Sequence, residues 1–177
     1  MKISQDQFLK AELEILNLTM SNAEFVALAE SVAEYISQYA PESVIDFGCG
    51  TGVYSEVARQ KGYNIVAQDI FKPHRDYCKS NYPDLTVVAK PTIAELMLFI
   101  EVAEHMTNGE IAVAVSKINP KLILFSSTPH TTDNDERWGH INIKQEYEWS
   151  EFWRELGFEV IDRPKTPTLW AMMLRRI

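Results

Sequence analysis

The chain has 177 residues, 46% hydrophobic and 24% charged, with a net charge of −8. That length suits one domain, residues 1–177, with a single substantial core. The acidic balance comes without a basic tract, which disfavours a broad nucleic-acid surface or an anionic membrane as partner. The longest apolar run, Leu96 to Ala103, is too short to span a bilayer and is interrupted by Glu101. No cationic, apolar, small-residue sequence opens the chain, and its two cysteines, Cys49 and Cys78, make no disulfide framework. A reducing cytoplasm is the expected setting.

Ser4 with Gln7 predicts a capping box before a helix carrying Phe8, Leu9, Leu13, Ile15 and Leu16. Ser21 with Glu24 predicts a second, before Phe25, Leu28, Ala29, Val32 and Ile36, with Pro41 as its stop. Val44 to Phe47 is a β-branched apolar run, as in a strand buried on both faces. It runs into Gly48, Gly50 and Gly52, after which Val53 to Lys61 has helical spacing. Strand, glycine loop and helix bring backbone N–H groups close to a polar or anionic ligand. The alternative is a tight turn with no ligand. A dinucleotide fingerprint fails because position 53 is Val, and no phosphate loop ending in Gly-Lys-Ser/Thr is present.

Asn64 to Ala67 reads as the second strand, ending at Gln68 and Asp69, and the β–α–β order implies a parallel sheet with right-handed crossovers. Leu85–Ala89, Leu96–Ile100 and Leu122–Ser126 read as strands three to five. The polar, acidic loop from Thr131 to Trp138 suits a substrate lid. A helix through Glu148 to Leu156 follows, with Gly157 as C-cap, then strands over Phe158–Ile161 and Leu169–Leu174. Pro164 and Pro167 fall in the turn between those strands.

Asp46, two residues before Gly48-x-Gly50-x-Gly52, closely resembles the first motif of the class I S-adenosylmethionine-dependent methyltransferases. Glu101-x-x-Glu104-His105 after the fourth strand is similar to the same family, and the resemblance covers the chain from Glu24 onward. It implies a doubly wound, Rossmann-like α/β sheet, mostly parallel, with a C-terminal antiparallel hairpin. Asp46, Gly48, Cys49, Gly50, Gly52, Asp69, Ile70 and Glu101 would then hold S-adenosylmethionine. Asp69 would take both ribose hydroxyls, with Ile70 and Phe71 as an apolar wall for adenine. The alternative for Asp69 is a cap on a helix beginning near Pro73. Lys90-Pro91 stands where the family often has an acidic or polar residue for the adenine amino group.

Such a cofactor is already electrophilic, so the protein mainly aligns an acceptor and sheds its water. For a hydroxyl acceptor a base or metal would help, and His105, His130 and His140 fall on segments that could supply it. If a helix begins at Glu101, then Glu101, Glu104 and His105 share one face. His105, His140 and Glu101 are the catalytic candidates. The combination with Ser127-Thr128-Pro129 and His140 before Glu148-Trp149 also resembles the small-RNA 3′-terminal 2′-O-methyltransferases. There, Glu101, Glu104, His105 and His140 would hold Mn²⁺ or Mg²⁺ over a terminal ribose. A non-catalytic S-adenosylmethionine-binding protein is the third reading. The leading expectation is O-methylation of a small metabolite or glycan-like acceptor, with residues 1–40 as cover and Tyr147, Trp138 and Trp149 as stacking candidates.

Overall fold

The fold is taken from a computed structural model, which describes residues 4–129, 131 and 135–177. Seven helices are assigned: α1 (Gln5–Glu14), α2 (Ala23–Ser37), α3 (Val53–Gln60), α4 (Lys72–Asn81), α5 (Asn108–Ile118), α6 (Asp135–Trp138) and α7 (Glu146–Glu155). The strands are β1 (Val44–Phe47), β2 (Ile65–Gln68), β3 (Thr86–Val88), β4 (Leu96–Ile100), β5 (Leu122–Ser126), β6 (Phe158–Asp162) and β7 (Met172–Arg176). They form one sheet in the order β3-β2-β1-β4-β5-β7-β6. The first five run parallel, and β7 inserts antiparallel between β5 and β6. This is the doubly wound sheet with a C-terminal antiparallel hairpin that the family resemblance implies. Strand order reverses between β1 and β4, so their carboxyl ends open onto a crevice.

Alternation along the central strands builds the two core layers. Ile45, Met97, Phe99, Ile123 and Phe125 face α5 and α7, packing with Ile111, Val115, Trp149 and Trp153. Val44, Leu96, Leu98 and Leu124 face the other way, with Val32 and Ile36 of α2. Each such aliphatic or aromatic side chain contributes about 1.5–3 kcal/mol by leaving water. Trp149 is 2% exposed within this layer, so it is a core residue and not a stacking surface for substrate. Lys144 Nζ lies 4.5 Å from its ring centroid.

Several boundaries differ from the sequence expectation, each for a local reason. The first capping box forms at Ser4 and Gln7, but α1 stops at Glu14, leaving Ile15 and Leu16 exposed. The second helix is capped by Asn22, whose side chain accepts from the N–H groups of Glu24 and Phe25, and not by Ser21. Its buried Ala29, Val32, Ala33 and Ile36 make α2 a core helix, whereas α1 has no buried residue. The last strand begins at Met172 because Leu169 and Trp170 are exposed in the preceding turn. Where a helix could begin at Glu101 there is a short 3₁₀ turn, Ala103–His105, and Glu101 lies outside it with φ of 54°. Glu101, Glu104 and His105 therefore do not share a helical face.

Gly52 has φ of 79°, and a Cβ there would lie 2.7 Å from Cys78 Sγ and 3.2 Å from the Tyr82 ring. Gly52→Ala is expected to cost about 1–3 kcal/mol in urea unfolding. Gly109→Ala in α5, where a Cβ meets nothing within 4 Å, should be neutral or stabilising in the same measurement.

Candidate active site

The crevice has two halves. On one side the glycine loop leaves β1 with positive φ at Gly48, Gly50 and Gly52, of 75°, 53° and 79°. The N–H groups of Gly48 and Cys49 both donate to the Gln68 carbonyl, tying the loop to β2. The three glycines differ in what they serve. A Cβ on Gly48 would strike Val102 Cγ2 at 2.6 Å, and one on Gly52 would strike α4, so these two answer to packing. Gly50 faces the crevice, where a Cβ would meet the far end of the flexible Glu12 side chain at 3.1 Å.

Asp46 sits beneath the loop, 3% exposed, and accepts from Ser55 Oγ of α3 at 2.6 Å. Burial pushes its carboxyl up to about 6, against the Ser55 bond. The structure thus gives Asp46 a bracing contact. Asp69 accepts from Gly50 N through Oδ2 at 3.0 Å and from Phe71 N through Oδ1 at 2.8 Å. Phe71 is the N-cap of α4, so Asp69 does not cap that helix directly; it fixes the chain between β2 and α4 and holds the loop at Gly50. Burial raises its carboxyl, and the nearby His74 opposes this. Each oxygen retains capacity for a further donor. Ile70 follows, 75% exposed, an apolar surface beside the carboxylate. Cys49 is buried, its thiol pushed up by contact with Cys78 and by burial, which leaves it an unreactive packing group.

Helix α1 closes over this half. Glu12 Oε2 meets His74 Nε2 at 2.9 Å. Phe8 packs edge-on against Phe71, His105 and Trp138, with centroids 6.1, 5.6 and 5.8 Å away. One helix thereby touches both halves of the crevice. Neither Glu12 nor His74 stands out in sequence, since 62 residues separate them. The hydrophobic spacing of α1 is the available signal, and it marks a packed helix without saying what it packs on.

The other half lies beyond β4 and β5. Glu104 is buried and accepts from Ser127 Oγ at 2.9 Å and Thr128 Oγ1 at 3.3 Å. Thr128 Oγ1 also lies 3.1 Å from Glu101 Oε2, which links the two carboxylates. Burial and then the Glu104 charge push Glu101 up to about 7. Burial and then His140 push the His105 imidazole down to about 4, so it is neutral at neutral pH. The His105 and His140 rings meet with centroids 4.8 Å apart. Glu104, His105 and His140 each present a ligand atom within 4.8 Å of the others. The sequence candidates are therefore brought together, with Glu101 joined through Thr128. Asp135, 3.0 Å from His140 Nδ1, was not singled out in sequence. His130 and residues 132–134 of the expected lid lie outside the described residues. Among the described part of that loop, Asp135 is buried, which makes it part of the site wall.

A doubly wound, mostly parallel sheet with a glycine loop after β1 and an acidic residue after β2 is a Rossmann-like α/β architecture. The methyltransferase domain family matches residues 22–163, leaving α1 outside the match. Streptomyces venezuelae DesVI superposes with a TM-score of 0.70 at 13% identity, covering 94% of this chain and 98% of that one. Magnesium protoporphyrin IX methyltransferase from Synechocystis PCC 6803, with bound S-adenosylmethionine, gives 0.64 at 12% identity, covering 99% and 98%. Burkholderia thailandensis 1,6-didemethyltoxoflavin-N1-methyltransferase gives 0.67 at 13%, covering 97% and 86%. No curated protein sequence matches the chain significantly. The chain belongs to the methyltransferase domain family and is in class an S-adenosylmethionine-dependent methyltransferase.

The α1 clasp carries a pH dependence. Burial opposes a charge on His74, but the Glu12 hydrogen bond and the Asp69 field overcome it and raise the imidazole above its ordinary range. A group whose folded value is raised stabilises below its unfolded value, and the contribution is lost as pH rises through the folded one. Hydrogen exchange in α1, corrected for intrinsic rate, should therefore accelerate relative to α2 as pH rises above the ordinary imidazole range of about 6.5 and through the raised folded value. A Glu12→Gln variant should flatten that difference.

Proposed function

We propose that this methyltransferase acts on a hydroxyl oxygen of a small metabolite or glycan-like acceptor, with S-adenosylmethionine in the crevice. The observation that carries the reading is the juxtaposition of two halves: Gly50 and Asp69 on one side, and Glu101, Glu104, His105 and His140 on the other. The first half fits an adenosyl ligand. Gly50 presents no Cβ toward the crevice, Asp69 offers acceptors suited to ribose hydroxyls, and Ile70 offers apolar surface for adenine. Glu12 lies on the same face as a counter-charge for the cationic end of the cofactor. Gly48 and Gly52 shape the loop, and Asp46 and Cys49 support it from below. When bound, S-adenosylmethionine supplies a methyl carbon on a sulfonium; transfer to a hydroxyl forms one carbon–oxygen bond, breaks one carbon–sulfur bond and releases one proton.

The second half can receive that proton. His105 is neutral at neutral pH, and Glu101 titrates near it, so acceptors exist where the hydroxyl would lie. Phe8 and Trp138 limit water at the same point, and exposed Tyr147 remains a stacking candidate. Two neighbours, by name a mitomycin 7-O-methyltransferase and a 1,6-didemethyltoxoflavin-N1-methyltransferase, also favour small acceptors. So does the net charge of −8, which weighs against an RNA terminus. No helix among the described residues is long and apolar enough to cross a membrane.

A second reading is favoured by the three ligand atoms of Glu104, His105 and His140 within 4.8 Å. One carboxylate and two imidazoles, with Glu101 adjacent, suit Mn²⁺ or Mg²⁺ with open positions for a vicinal diol. Under this reading Glu104, His105 and His140 would hold the cation, which would lower the hydroxyl pKa in place of a side-chain base.

A thermal-shift titration with S-adenosylhomocysteine tests the cofactor half. At about 100 times the dissociation constant, roughly 2.7 kcal/mol of stabilisation is expected, or a rise of about 5–10 °C in Tm. Asp69→Ala should abolish it, and no rise in the unmutated protein would sink the proposal. A further rise with Mn²⁺ that is absent in His140→Ala would establish the metal reading; equal curves with and without Mn²⁺ would remove it.

A further inference from the structure

We propose that Asp135 is a positioning residue of the acceptor site: its carboxylate holds His140 in the Nδ1–H tautomer, leaving Nε2 free to accept a hydrogen bond from the acceptor's hydroxyl. The use of Nε2 rests on the O-transfer reading above, whereas the pairing rests on geometry alone. His140 Nδ1 stands 3.0 Å from Asp135 Oδ1, with the two side chains only 14% and 11% exposed. An ionised carboxylate only accepts, so the imidazole nitrogen that faces it carries the hydrogen. In neutral imidazole the remaining nitrogen then has the free lone pair.

The surrounding backbone holds the pair from both sides. His140 N donates to the Asp135 carbonyl at 2.9 Å, so residues 135 and 140 are tied by main chain and side chain together. Beyond the histidine, Ile141 N and Asn142 N both donate to the Glu104 carbonyl, at 2.7 and 3.1 Å. Asn142 Nδ2 then donates to the Met106 carbonyl at 2.8 Å. The segment between α6 and α7 has no regular structure of its own, so without these bonds loop entropy would disperse the ring's orientations. The bonds bring His140 against His105 from more than 30 residues away in sequence.

The chemical consequence concerns where one hydrogen sits. With Nδ1–H given to Asp135, Nε2 presents its lone pair toward the acceptor hydroxyl. With the hydrogen on Nε2, the ring would present a donor to a hydroxyl that needs an acceptor. Asp135 touches neither donor nor acceptor of the methyl group in this account. It acts through His140.

Long-range proton–nitrogen correlation spectra of the full chain, ¹⁵N-labelled at histidine, test the pairing directly. His140 signals are assigned by their loss in His140→Gln. At about pH 8.5, above the ordinary imidazole range, the expected pattern is hydrogen on Nδ1. Asp135→Leu should move it to Nε2, while the S-adenosylhomocysteine thermal shift of that variant persists. Hydrogen on Nε2 in the unmutated protein overturns the proposal, as does an unchanged Nδ1–H pattern in Asp135→Leu. Should Asp135→Leu fail to fold, Asp135→Asn replaces it, and the unmutated spectrum remains decisive alone. Failure of S-adenosylhomocysteine to bind with the Nδ1–H pattern intact would remove the cofactor reading and leave the pairing standing.

Discussion

The turn from β1 into α3 is the constraint on which the rest depends. Its glycines sit at positive φ, and two of them are pressed against neighbours that leave no room for a Cβ: Val102 beyond β4 and Cys78 on α4. Those contacts set how closely the β4 exit and α4 approach the loop. The same turn receives the Asp69 carboxylate on the Gly50 N–H and ties its own N–H groups to Gln68. Strand β2, helix α4 and the β4 exit therefore converge on a few backbone atoms. A crevice with fixed walls follows from that convergence, because main-chain groups in a packed turn have little freedom to reorient.

Around this turn the site divides by chemistry. The half at the glycine loop is mostly backbone, with the buried Asp69 carboxylate and the exposed Ile70 beside it. The half beyond β4 and β5 is almost wholly side chain, with two carboxylates, two imidazoles, two hydroxyls and Asp135 behind them. Burial drives the opposed shifts there, raising Glu101 and lowering His105 so that both favour their neutral forms. Groups pushed toward neutrality at neutral pH are suited to accepting or releasing protons. Helix α1 joins the halves, since Glu12 lies at the loop and Phe8 at His105.

Legibility in the sequence followed the range of the interactions. Strands β1, β4 and β5 were readable to the residue, because each is a short, mostly apolar run whose burial is implied by its composition. The N-cap of α2 was missed by one position: Ser21 and Asn22 both carry capping oxygens, and the choice between them is made by the chain path before the helix. Whether Glu101, Glu104 and His105 share a helical face was open in the sequence, because spacing alone cannot reveal that Glu101 occupies a left-handed turn. Trp149 could be stacking surface or core by composition, and the packing of α7 on Phe125 decided for core.

Taken alone, the amino-acid order determined the strand–loop–helix unit, the parallel sheet and the glycine positions, because those features are local in backbone chemistry or periodicity; the candidates Glu101, Glu104, His105 and His140 came from resemblance to a known family. Only the tertiary structure decided which glycine faces the crevice, that α1 packs against it while α2 joins the core, and that Asp135 stands behind His140. These depend on contacts between segments tens of residues apart. Hydrophobic periodicity says that a face is buried, but not against which partner. That choice is made by the packing of the whole chain, where the non-local contacts are satisfied together.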